Sequence, residues 1–64
     1  MDEDTKELIV QLCTRIGMIM EDASTVALTT ARLDSEARLH AIAELEPAAG
    51  RISALVGAAK ALTP

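Results

Sequence analysis

No phenylalanine, tyrosine or tryptophan occurs in this chain, so any core has to be made from Leu, Ile, Val, Met and a large number of alanines. The same absence removes stacking platforms for bases or sugars and the aromatic anchors that dominate many binding hot spots. Cysteine is nearly missing too. Cys13 stands alone, which excludes an internal disulfide, and no Cys/His cluster offers a structural zinc site. No cluster of Lys or Arg exists that could neutralise a run of phosphates: ten acidic residues face six basic ones, for a net charge of -4. Nucleic acid and acidic membrane surfaces are therefore excluded as expected partners. The N-terminal MDEDTKE is not the basic start of a secretory signal, and no apolar stretch reaches the roughly 18 residues needed to span a bilayer. With a lone thiol, the expected compartment is the reducing cytoplasm. No nucleotide-binding, metal-binding or catalytic motif is present, and no cofactor is expected.

These absences put weight on size. A 64-residue chain is at most one domain, and a domain this small buries only about 60% of the surface that its unfolded chain exposes. Without disulfides or metal, the remaining way to stabilise it is oligomerisation.

What the chain does have is a heptad seam. Ile9, Leu12, Ile16, Ile19, Ala23, Val26, Thr30 and Leu33 recur at alternating spacings of four and three without a phase error, and seven of these eight are apolar. A stripe of this period lets a helix bury one narrow face along its whole length against other helices. Asp4 and Glu7 have the spacing of a capping box, and Asp2, Glu3, Asp4 and Glu7 put negative charge at the positive end of the helix dipole. Helix one is thus expected over about 4–33. Gly17 and the AlaSerThrVal stretch at 23–26 lower helix propensity, which raises the alternative of a break near Asp22 to Ser24. The unbroken phase across that stretch argues for a single helix.

Past Leu33 the first seam would require Ala37, His40 and Glu44 in the core, so its phase fails where LeuAspSerGlu supplies a new start. Asp34 is the expected N-cap, and the short turn folds helix two, about 35–62, back antiparallel to helix one. Its seam is Ala41, Leu45, Ala48, Ile52, Leu55, Ala59 and Leu62, widened by Ile42, Ala49 and Val56. Pro47 removes one helical hydrogen bond and crowds the Ala43 carbonyl. Because the stripe keeps its phase across Pro47, one kinked helix is expected; a third helix beginning at Pro47 is the alternative.

The expected fold is all-α: residues 1–64 form one antiparallel hairpin, and two hairpins close a four-helix-bundle homodimer. Its oligomer core is expected at Ile9, Leu12, Ile16, Ile19, Val26, Leu33, Leu45, Ile52, Leu55 and Leu62. Beyond Pro47 helix two is nearly apolar all round, and Gly50, Ala54, Gly57 and Ala58 form a small-residue face suited to a second interface. Arg15 and Asp22 on helix one, and Glu44 and Arg51 on helix two, flank the seams as rim charges. Cys13 flanks the first seam as a small hydrophobe, Met18 points outward, and Glu36, His40 and Glu44 with the Asp34/Arg38 pair read as a solvated helix face. The function these features fit is a small protein–protein interaction module, a regulator or adaptor, binding itself and another protein, and not an enzyme. Two alternatives are an acidic inhibitor, in which Asp2, Glu3, Asp4, Glu7, Glu21 and Asp22 imitate phosphates in a nucleic-acid site, and a small all-helical enzyme.

Overall fold

A computed structural model describes residues 2–64. It contains α1 (Glu3–Thr29), a 3-10 turn (Thr30–Arg32) and α2 (Ser35–Leu62), with the two helices packed against each other as a hairpin about 50 Å long.

Helix α1 starts two residues earlier than the capping-box spacing predicts. The Asp2 carboxylate accepts from the Thr5 amide at 2.7 Å, so Asp2 is the N-cap and Glu3 and Asp4 become the acidic first turn. With the cap at Asp2 the side chain serves the Thr5 amide, the Glu7 amide that an Asp4 cap would have served falls inside the helix, and Glu3 and Asp4 stay beside the positive end of the dipole. There is no break near Asp22 to Ser24. The threonines, which lower propensity by offering the backbone other partners, return their hydroxyls to carbonyls of the preceding turn. Thr14 donates to Val10 at 2.8 Å, Thr25 to Glu21 at 3.2 Å and Thr30 to Val26 at 2.8 Å. Thr30 can therefore occupy a seam position with its hydroxyl satisfied inside its own helix.

The helical geometry tightens at the end of α1, giving the 3-10 turn where α-helix is expected through residue 33. Leu33 is extended, Asp34 caps α2 by accepting from the Ala37 amide at 2.9 Å, and Arg38 reaches back over the turn. Its guanidinium donates to the Leu33 carbonyl at 2.9 Å, with longer contacts to the Thr30 and Ala31 carbonyls at 3.4 and 3.5 Å. Arg38 thus serves carbonyls of the turn that follows α1 and is not the partner of Asp34 that the four-residue spacing suggests. The sequence held one clue to this: a cation in the first turn of α2 opposes that helix's dipole and needs another reason to be there.

Helix α2 runs without interruption through Pro47, so the reading of Pro47 as the start of a third helix does not hold. The seam explains the continuity. Ala48, immediately after the proline, is the one buried residue among those described, and ending the helix there would pull Leu45 or Ile52 off the stripe.

Two predictions follow from these local choices. Proline costs roughly 3 kcal/mol relative to alanine inside a helix, so Pro47→Ala is expected to raise stability by an appreciable part of that, read as a higher denaturation midpoint in urea. The second concerns pH. The Thr5 amide, and then the Thr5 hydroxyl, hold the Asp2 carboxyl below its ordinary value. A lowered folded-state pKa gives a contribution that is complete above the unfolded value and disappears as pH falls through the folded one. The α1 start should therefore fray only below the ordinary aspartate range, and Asp2→Asn, which still caps, should remove that part of the acid dependence of helicity measured by circular dichroism.

Candidate functional site

The hairpin buries its two stripes only halfway. On α1 every half-buried residue from Ile9 onward belongs to the predicted seam: Ile9, Leu12, Ile16, Ile19, Ala23 and Val26, followed by Thr30 and Leu33 in the turn region. On α2 the half-buried positions are Ala37, Ala41, Leu45, Ile52, Leu55, Ala59 and Leu62, with Ala48 buried between them. The residues expected to form an oligomer core therefore lie along the line where the two helices meet. Eight large apolar side chains are exposed, from Val56 at 39% to Leu28 at 78%.

Along that line run two grooves of opposite character. One is lined by Ile19, Asp22, Ala23 and Val26 of α1 with Glu44, Leu45, Pro47, Ala48 and Arg51 of α2, and continues past Arg15, Met18, Ala54 and Leu55. All four rim charges, Arg15, Asp22, Glu44 and Arg51, line this groove, but the only ion pair among the described residues is Lys6 with Glu3 at 3.6 Å. Helical spacing alone placed these charges in two pairs on separate helices. The antiparallel packing is what brings them to one side. The other groove is lined by Ile9, Cys13, Val56, Ala59, Lys60 and Thr63, so Cys13 is exposed in an apolar trough and Lys60 is the one charge on its walls.

The small-residue face has no cover within the hairpin. Gly50, Ala54, Gly57 and Ala58 are exposed, and a β-carbon placed on Gly50 or Gly57 would meet nothing within 4 Å. Met18 is exposed, as expected, at the edge of the charged groove. Of the acids that the inhibitor reading would need, Asp2 is engaged in the cap of α1 and Glu3 pairs with Lys6. Among the described residues, no group of three or more His, Cys, Asp or Glu side chains is arranged to hold a metal ion, the stretch from Glu36 to Glu44 included. No helix is long and apolar enough to cross a membrane. Comparisons with protein-family models, curated proteins and solved structures give no match to this chain.

The depth of the seam can be measured by truncation. Ile16→Ala and Ile52→Ala are expected to cost roughly 2 to 5 kcal/mol if the stripe is covered on all sides, through lost burial and a residual cavity. Met18→Ala should stay within about 0.5 kcal/mol, the usual range for an exposed position. Urea denaturation of the three variants reads both. Equal losses at Ile16 and Met18 would contradict the assignment of the buried face.

Proposed function

We propose that this chain is a small helical protein–protein interaction module, a regulator or adaptor that works as a homo-oligomer, with two hairpins closing a four-helix bundle. The observation that carries the reading is that Ala48 is the only buried residue among those described, although both helices bear complete apolar seams. Stability in water comes from apolar surface removed from it, at about 25 cal/mol per Å². Side chains left half open forgo much of that gain, and the conformational entropy of ordering the chain still has to be offset. A second hairpin laid on the first supplies the missing cover with no new kind of contact. In this arrangement α2 bends at Pro47, so that its second half follows the curve of the bundle.

The reading is of a binding module and not an enzyme. The groove that gathers polar groups is open to water and lined on its floor by aliphatic side chains, whereas catalysis needs polar groups converging in a sheltered cavity. The partners are a second copy and another protein, with no nucleic acid and no membrane, and the place of action is the cytoplasm. The small-residue face at Gly50, Ala54, Gly57 and Ala58 is the surface available to the other protein, because closing the bundle through the seams leaves it outside.

Mass by light scattering and thermal melting over a wide range of protein concentration test the proposal. The expected result is a dimer or larger whose melting midpoint rises with concentration, as linkage to association requires. A folded monomer with a concentration-independent midpoint would overturn it.

A further inference from the structure

The two sides of the hairpin differ enough to say which one a second copy would cover. Cys13 and Val56 line the apolar groove together, and positions seven residues apart stay on the same flank of a heptad helix. Cys13, Met20 and Ala27 on α1, and Ile42, Ala49 and Val56 on α2, therefore form an apolar flank along the hairpin, with Lys6, Glu46 and Lys60 as the charges at its edge. All six residues of the flank are exposed. Val10 and Leu39, each three residues before a member of this set, widen it, so five of the eight exposed large apolar side chains lie on this side. The equivalent positions on the other side include Arg15, Asp22, Glu44 and Arg51.

We infer that the flank carrying Cys13, Met20, Ile42 and Val56 is the self-association surface, and that its occupant is a second copy of this chain related by a two-fold axis. This rests on the reading of the protein as a homo-oligomer and specifies the face it uses. Three observations argue for a second copy. The Cα trace spans 50 by 15 by 11 Å, so the outline of its broad side, roughly 750 Å² before side chains are added, is on the scale of the 800 Å² or so of accessible surface that each partner of a standard stable interface buries. The flank also presents aliphatic side chains from both helices, which a second copy turned about a two-fold axis can meet with the same apolar patch. Arg15, Asp22, Glu44 and Arg51, gathered on the opposite side, then stay in water, and Lys60 on the near side is a long side chain whose ammonium can reach water at the edge of the bundle.

The test compares single glutamate substitutions and uses the natural thiol as a probe. Met20→Glu and Val56→Glu are expected to raise the dimer dissociation constant by about tenfold or more, the effect of forcing an unpartnered charge into an apolar interface. Leu28→Glu, on the outer side of α1, and Met18→Glu, at the edge of the charged groove, should leave it within a few-fold of the original. Because a dissociated variant can also unfold, the unmodified chain is examined as well. Cys13 alkylation by a maleimide should be slow where light scattering gives a dimer and fast after dilution below the dissociation constant. A thiol moved to the other side, Met18→Cys in a Cys13→Ala background, should react fast at both concentrations. A dimer in which Cys13 reacts equally fast at both concentrations would overturn this assignment while leaving homo-oligomerisation standing. Dissociation by Met18→Glu without dissociation by Met20→Glu would do the same and would move the interface to the charged side. A folded monomer at every concentration would remove both this inference and the function on which it rests.

Discussion

Two helices side by side share a single line of contact, and that geometry governs the rest of this structure. Each helix presents a stripe wide enough to need neighbours on more than one side, but a hairpin supplies one neighbour. Seam residues from Ile9 to Leu62 are accordingly half covered, and among the described residues Ala48 alone is buried.

The helix ends show how much of the remaining stability is local. Asp2 and Asp34 satisfy amides at the two N-termini, threonine hydroxyls satisfy carbonyls within α1, and Arg38 gathers carbonyls at the turn. Each of these contacts is exposed or half exposed, and each links residues no more than eight apart in sequence. Exposed capping bonds contribute on the order of 1 kcal/mol apiece. They fix where the helices start, turn and stop, but they do not supply the burial that an ordered fold of this size needs.

Pro47 illustrates the same balance in a helix interior. A proline there removes a backbone hydrogen bond, and in an isolated peptide it would favour a break. Here the residues on either side of it, Leu45 and Ala48, both belong to the contact line, so the tertiary gain along α2 outweighs the local loss. Helix propensity acts as a weak preference that packing overrides, as it does again at the threonine-rich end of α1.

The sequence alone determined the all-helical class, the position of the turn at Asp34, and the line of the two seams, because a heptad period is a purely local signal that one helix carries without reference to another; it left out Ala37, which is half-buried, and widened the second seam by Ile42, Ala49 and Val56, which are exposed because a hairpin offers them no second neighbour. It located the start of α1 two residues late and missed the 3-10 turn and the role of Arg38. The reason is that several acids near the N-terminus can each cap, and that the carbonyls Arg38 serves belong to the preceding element. Only the tertiary structure decided that Arg15, Asp22, Glu44 and Arg51 share one groove while Cys13 and Val56 share the other. Which flank of one helix meets which flank of the next depends on how the turn orients two rigid rods, and no spacing within either rod records that choice.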